Sequence, residues 1–339
     1  MDDRYSRQIL FSPIGTKGQE KLLSSRVLIV GCGALGSSHS EMLARAGVGN
    51  LRIVDRDFVE FSNLQRQTLF SESDAENRLP KAVAAKSRLA EVNPSINVEA
   101  IVADINASNI ESLVKDCDVV IDGSDNFQLR YLVNDACIKR SIPWVYGAAV
   151  SSYGSTMTII PKGTPCLRCV FEEMPDAGSS PTCDTAGVIM PIIATISAIQ
   201  VSEAIKLLVN DRDSLHQTLM QIDVWTNERH AIKLGEPNPD CPACAQQKFE
   251  FLDAANGDSS AVLCGRDAVQ ISPSRPTEID LTVLATRMRS VGDVKHNEYL
   301  VRFFSGKNEV TVFRDGRAII KGTDDVSVGR SIYARFVGA

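Results

Sequence analysis

The chain has 339 residues, 44% of them hydrophobic and 23% charged, and a net charge of -6. That length leaves room for one large α/β domain and something smaller, and the acidic balance excludes a dominant nucleic-acid surface. Met1-Asp2-Asp3-Arg4 lacks a positive-then-apolar leader pattern, and the longest apolar stretch, 186–201, is interrupted by Pro191, Thr195, Ser197 and Gln200. It therefore reads as a buried helix and not a membrane span. Nine cysteines without a secretion signal point to the cytoplasm, where thiols serve metals or chemistry.

Residues 4–24 read as an amphipathic helix, 26–30 as a short buried strand and 34–46 as the next helix. Strands at 50–55, 97–102 and 118–122 alternate with helices at 81–92, ended by Asn93-Pro94, and at 126–140, before a strand at 143–147. This alternation predicts an α/β fold, a Rossmann-like doubly wound sheet with ligands at its strand C-termini. After Gly147 the pattern becomes an antiparallel extension, with strands at 154–161 and 219–234, a helix at 190–209 and a loop at 174–184. A linker at 251–260 precedes a small α+β module. Its strands are expected near 262–271, 298–304, 308–313 and 317–320, and its helices near 279–290 and 325–337. The expected domains are 1–250 and 260–339, with no internal repeat.

Gly31-Cys32-Gly33-Ala34-Leu35-Gly36 sits between a strand and a helix, where glycines let backbone N–H groups approach a phosphate. Asp55 lies 24 residues after Gly31, at the end of the next strand, placed for ribose hydroxyls. A nicotinamide dinucleotide would suit these two features alone. Arg66 and Lys81 favour a triphosphate, because an adenylating enzyme must neutralise the charge on departing pyrophosphate. Asp125, after a further strand end, suits Mg²⁺ beside the phosphates. Each charge alone reads as a solvated surface residue; their placement after successive strand ends gives them a site. Cys166-Leu167-Arg168-Cys169 and Cys241-Pro242-Ala243-Cys244 have the spacing of a closed, structural, tetrahedral Zn²⁺ site, against the alternatives of a redox pair or unrelated buried thiols. Cys32, Cys117, Cys137 and Cys264 read as small buried side chains, and the four histidines have no catalytic company.

Arg4-Tyr5-Ser6-Arg7-Gln8, the glycine turn, Ala46-Gly47-Val48-Gly49, Asp55, Ser62-Asn63-Leu64-Gln65-Arg66-Gln67, Pro80-Lys81, Asp125-Asn126, Tyr146-Gly147-Ala148 and Thr182-Cys183-Asp184-Thr185-Ala186-Gly187 together resemble the ThiF/MoeB/HesA family. These are bacterial relatives of ubiquitin-activating enzymes, and the resemblance covers roughly residues 4–247. Within the family, the ThiF type of Bacillus-like bacteria carries a similar C-terminal extension. The resemblance implies adenylation by ATP of the C-terminal Gly-Gly carboxylate of a small ubiquitin-like sulfur carrier, ThiS-like for thiazole synthesis or MoaD-like for molybdopterin synthesis. It implies contacts to ATP from Gly31, Gly33, Ala34, Gly36, Asp55, Ser62, Asn63, Arg66, Lys81, Asp125 and Asn126. Ala34 stands where the family often has a third glycine.

Arg7 resembles the arginine that reaches a partner subunit's ATP, which implies a homodimer. Cys183 resembles a cysteine that in some members attacks the acyl-adenylate or transfers sulfur, with a cysteine desulfurase or rhodanese-type donor; the other reading is a packing residue under the loop. No membrane or nucleic-acid partner is expected. From other classes, an NAD-dependent oxidoreductase leaves Arg66, Lys81 and the cysteine pairs unexplained, and a non-catalytic scaffold leaves the whole charged set without a use. The C-terminal module shows no chemistry and reads as a docking surface or a dimer-stabilising appendage.

Overall fold

The structure is a computed structural model that describes residues 3–175, 182–253, 260–263, 268–273, 278–289 and 292–337. Helix Gly15–Ser24 (α1) leads into Arg26–Val30 (β1), a strand with no polar residue after its first and buried on both faces, as a central parallel strand must be. Val27 and Ile29 enter one apolar core and Leu28 and Val30 another, on opposite sides of the sheet. The helix Ala34–Ala46 (α2) follows, ended by Gly47 in the left-handed conformation.

The remaining strands are Asn50–Asp55 (β2), Asn97–Val102 (β3), Val119–Asp122 (β4), Trp144–Val150 (β5), Tyr153–Ile159 (β6), Thr218–Asp223 (β7) and Glu228–Lys233 (β8). They are ordered β3-β2-β1-β4-β5-β6-β7-β8. The first five are parallel and β6 to β8 are antiparallel additions. The order reverses between β1 and β4, so a crevice opens outside their C-terminal ends, where doubly wound sheets take their ligands.

Lys81–Val92 (α3), Phe127–Arg140 (α4) and Met190–Val209 (α5) complete the unit. Among the described residues α5 is the one helix long and apolar enough to cross a membrane by length and composition. It lies against α1, α2, β5 and β6, with Ile192, Ile193, Ile196, Val201 and Ala204 buried, as a core helix does.

By its contacts the chain divides into two units, Met1–Ala255 and Asn256–Ala339. The second is an antiparallel sheet of Ser260–Leu263 (β9), Ala268–Ile271 (β10), Val294–His296 (β11), Leu300–Ser305 (β12), Asn308–Phe313 (β13) and Ala318–Lys321 (β14), in the order β11-β12-β13-β14-β10-β9. Leu281–Met288 (α6) and Val326–Phe336 (α7) pack on Val269, Val301, Phe303, Val310, Val312 and Ile320. Asp280 and Asp325 cap these helices by accepting two backbone N–H groups each.

The expected bounds at 26–30, 34–46, 50–55, 81–92, 97–102 and 190–209 coincide with the elements. Three expectations are corrected. The helix at 4–24 is broken at 10–14, around Pro13, into Ser6–Ile9 and α1. The stretch 219–234 is the hairpin β7–β8, turned at Asn227 with φ +64°. The strand near 262–271 is likewise a hairpin, β9–β10. The loop at 174–184, the linker at 251–260 and Cys264 fall partly or wholly outside the described residues.

Candidate active site

Gly31 turns the chain out of β1 at φ +82°, a region that favours glycine, and its N–H donates to the Val54 carbonyl at 2.9 Å. Gly36 is required for a different reason: a Cβ there would collide with the Gly31 carbonyl. The turn and the first turn of α2 are thereby pressed together, and the first N–H groups of α2, which have no partner within the helix, sit at the C-terminal end of β1. Asp55, at the end of β2, accepts from the Cys32 N–H through Oδ2 and from the Asp57 N–H through Oδ1, both at 2.6 Å. Burial pushes its carboxyl above the ordinary range, while the Lys81 ammonium and the two N–H donors pull it back. Each oxygen keeps a further lone pair for a ligand hydroxyl.

Residues around Phe58 and Pro80 form a small antiparallel bridge, with the Val59 N–H on the Leu79 carbonyl at 2.8 Å and the Lys81 N–H on the Asp57 carbonyl at 2.9 Å. This carries Lys81, the first residue of α3, to the end of β2. Its side chain is only 5% exposed and its Nζ lies 3.3 Å from Asp57 Oδ2. The segment 61–67 is a tight turn held by Asn63, which is buried. Its Oδ1 accepts from the Glu60 N–H at 3.0 Å, and its carbonyl accepts from the N–H groups of Arg66 and Gln67. Ser62 is exposed, and Arg66 Nη1 donates to the Ser62 carbonyl at 2.8 Å. The buried Gln67 Oε1 has no hydrogen-bond partner among the described residues.

At the end of β4 the Asp122 carboxylate is buried against Arg130, with Oδ2 3.2 Å from Nε, and its Oδ1 accepts from the Ser124 N–H and hydroxyl. Asp125 is exposed and Asn126 caps α4, its Oδ1 accepting from the Leu129 N–H. From the other face, Gln200 on α5 donates to the Asp122 carbonyl at 2.9 Å and the Val145 carbonyl at 3.2 Å. Its Oε1 meets His39 Nε2 at 2.8 Å.

His39 is fully buried, and burial holds its imidazole down at about 3. The unfolded chain takes up this proton below about 6.5 and the folded chain does not, so this contribution is complete above 6.5 and is lost as pH falls towards about 3. Asp135, pushed up to about 6 by burial, acts in the opposite sense below pH 6. The comparison of native chain with His39→Gln isolates the histidine. Across that window the difference in unfolding free energy between them should change by several kcal/mol, roughly 5 at most. Urea unfolding at pH 7 and pH 4 reads this out, and an unchanged difference would refute it.

Arg7 lies on an N-terminal arm bound at the far ends of α2 and α3. Gln8 Nε2 donates to the Ala46 carbonyl, Arg4 Nη1 to the Val92 carbonyl and Asn93 Nδ2 to the Tyr5 hydroxyl, all at 2.8 Å. α2 has 13 residues, a span of about 20 Å from the glycine turn. Arg7 is exposed and out of reach of its own crevice, beside Leu10 and Phe11, which are 73% and 60% exposed.

Cys166, Cys169, Cys241 and Cys244 come together from 75 residues apart, with sulfur separations of 3.8 Å (166–169), 3.6 Å (166–241) and 3.4 Å (169–244). Zn–S bonds of about 2.3 Å in a tetrahedron place sulfurs about 3.8 Å apart, so the set fits zinc as it stands. Asn134 and Asp135 of α4 hold this knuckle, accepting from the N–H groups of Leu167 and Phe251. Cys183 opens the helical turn Cys183–Ala186, half-buried, its Sγ 3.4 Å from the Ala149 carbonyl. The following residues pair with Ser151, which puts Cys183 at the ligand-facing end of β5. Asp57, Arg130 and Gln200 went unread in the sequence; only Asp57 had a signal, as a second acid two residues past Asp55.

Fold and site together define a doubly wound nucleotide-binding protein, with a buried lysine at the switch-point crevice and a four-thiol knuckle outside it. The chain belongs to the ThiF family, whose model matches residues 5–243. It is 45% identical over 340 aligned positions to the sulfur carrier protein ThiS adenylyltransferase of Bacillus subtilis, with all of both chains covered. It is 38% identical over 244 positions to the molybdopterin-synthase adenylyltransferase of Escherichia coli K12, covering 72% of this chain and 96% of that one. MccB of E. coli, crystallised with ATP, superposes with a TM-score of 0.62 at 26% identity, over 72% of this chain and 75% of that one.

Proposed function

We propose that the chain is an ATP-dependent adenylyltransferase that activates the C-terminal Gly-Gly carboxylate of a ThiS-like, ubiquitin-fold sulfur carrier for thiamine (thiazole) biosynthesis. The observation that carries this is the 45% identity to a ThiS adenylyltransferase over the full length, C-terminal module included. The molybdopterin-synthase relative leaves more than a quarter of the chain unmatched. In this reading residues 1–250 adenylate and 260–339 are an accessory module.

The N–H groups at Gly33, Ala34 and Gly36 would hold the triphosphate, Gly31 would make the turn that lets it approach, and Asp55 would hold the ribose. Ser62, Asn63 and Asn126 would complete the pocket. The carrier carboxylate, already ionised, attacks the α-phosphorus; the bond from that phosphorus to the bridging oxygen breaks, and pyrophosphate leaves with the electron pair. No proton has to move, so Lys81 and Arg66 act through charge and the crevice through alignment. Asp125 would hold Mg²⁺, which spreads phosphate charge when bound; one exposed carboxylate suits an ion that keeps waters and takes phosphate oxygens. Cys166, Cys169, Cys241 and Cys244 would hold structural Zn²⁺.

Arg7 would complete the site of a second copy, since its own crevice lies at the other end of α2; this is the support for a homodimer. Cys183 would act after adenylation: its thiolate would attack the acyl carbon and expel AMP, or would take the outer sulfur of a persulfide on a desulfurase or rhodanese-type donor, which leaves as its thiolate. Reduced thiols at both places suit the cytoplasm.

The test is ATP–pyrophosphate exchange by purified protein with Mg²⁺ and either ThiS or MoaD of the same organism. Exchange with ThiS alone is expected, and Cys183→Ala should keep exchange while thiocarboxylate formation falls. Exchange with MoaD alone would reassign the carrier. Absence of exchange with both, alongside tight NAD binding, would overturn the reading in favour of an oxidoreductase.

A further inference from the structure

Arg130 is buried in α4 although it carries a charge, and a buried guanidinium is costly unless all its partners are in place. Its partners are the end of β4 and the neighbouring strand β5. Nε faces Asp122 Oδ2 at 3.2 Å, and Nη2 donates to the Ser124 carbonyl at 2.8 Å and the Gly147 carbonyl at 3.2 Å. The rings of Phe127 and Tyr146 lie 5.2 and 5.5 Å from its central carbon and fix its plane. The Ser124 carbonyl belongs to the peptide that leads directly into Asp125. Gln200 grips the same strand end from the opposite face through the Asp122 carbonyl. A side chain present only to fill space on this face would be apolar, like its neighbours Tyr131 and Val133.

We propose that Arg130 is a positioning residue for the metal-dependent step: it holds the peptide between Ser124 and Asp125, and so fixes where the Asp125 carboxylate meets the divalent cation of the nucleotide. The proposal rests on the adenylyltransferase reading for the role of Asp125. A lysine cannot replace Arg130, because a single ammonium cannot face a carboxylate and two carbonyls in one plane.

The experiment compares native protein, Arg130→Lys, Asp125→Asn and the double variant. It measures the Mg²⁺ concentration for half-maximal exchange and, without any carrier, the Mg²⁺ dependence of ATP binding by calorimetry. Residues that orient a metal ligand are worth about 10–100-fold in metal affinity, so Arg130→Lys should raise the Mg²⁺ requirement about tenfold, with near-native rate at saturating Mg²⁺. In the Asp125→Asn background the same change should add no further shift. A native Mg²⁺ requirement in folded Arg130→Lys would overturn the proposal, as would an equal shift with and without Asp125. If Arg130→Lys does not fold, Phe127→Leu, which removes one of the two rings, is read in the same way with a shift of about threefold. Absent exchange in the native protein would instead refute the adenylyltransferase reading, while calorimetry still decides the Arg130 claim.

Discussion

Lys81→Met will lower the rate of carrier-dependent ATP–pyrophosphate exchange by about a thousandfold, with KM for ATP rising by less than about tenfold. The asymmetry follows from where the charge changes. In the proposed reading the N–H groups of the glycine turn hold the ground-state triphosphate, whereas the leaving pyrophosphate gains charge only as the bond breaks. A desolvated ammonium acts most strongly on that new charge, and the Lys81 side chain is 5% exposed. Methionine keeps the apolar stem, so packing at the start of α3 is preserved. Asp57, 3.3 Å from Nζ, and Asp55 then lose a shared cation, and folding should be checked by thermal melting. Lys81→Arg keeps the charge but replaces a compact point charge with a wider fork, so it should recover only part of the rate. A near-native rate with raised KM in Lys81→Met would show that Lys81 binds the ground state only, and would remove it from the reacting centre.

The elements most legible in the sequence were those whose ends are marked locally. α2 lies between Gly33 and Gly47, α3 between Pro80 and Asn93, and α5 is an apolar run of one helix length; all three have the bounds their residues imply. The hairpin β7–β8 was misread because its turn at Asn227 has no glycine or proline to mark it. Glu72–Glu76, Ile110–Val114 and β11 went unread because they are too short to show a period. In the site the same division holds. Gly31, Gly36, Asp55 and the cysteine pairs follow from spacing, because the chemistry fixes the spacing. Arg130 and Gln200 do not, because their partners are set by the sheet: Gly147 is 17 residues from Arg130, and Asp122 is 78 from Gln200. Along the sequence each is a polar residue in a helix, and only the pairing of β4 with β5 gives it a target.

Cys241→Ser will lose zinc and lower the melting temperature by about 10–20 °C, with proteolysis beginning beside the knuckle. The four sulfurs belong to two segments 75 residues apart in sequence, the crossover after β6 and the tail before residue 255. Few other ties join these segments: Arg168 meets Glu250 at 3.0 Å, and both are anchored separately to α4 through Asn134, Asp135 and the contact of Tyr131 with Phe251. Structural zinc contributes about 10–16 kcal/mol in small peptides, more than most domains have in net stability. Only part of that is lost here, because the remaining fold stays packed and metal-free thiols find weaker partners. A loss of about 5 kcal/mol in a unit of this size corresponds to the stated shift.

Elemental analysis should find one zinc per native chain and none in the variant, and a strong chelator should reproduce the lowered melting temperature in native protein. The nucleotide crevice lies at the N-terminus of α4, about two turns before Asn134 and Asp135, so ATP binding by whatever fraction remains folded should be close to native. A variant that keeps its melting temperature would show that the sulfurs are merely packed together. Full loss of ATP binding in a still-folded variant would show that the knuckle also sets the crevice through α4, and so would contradict a purely structural metal.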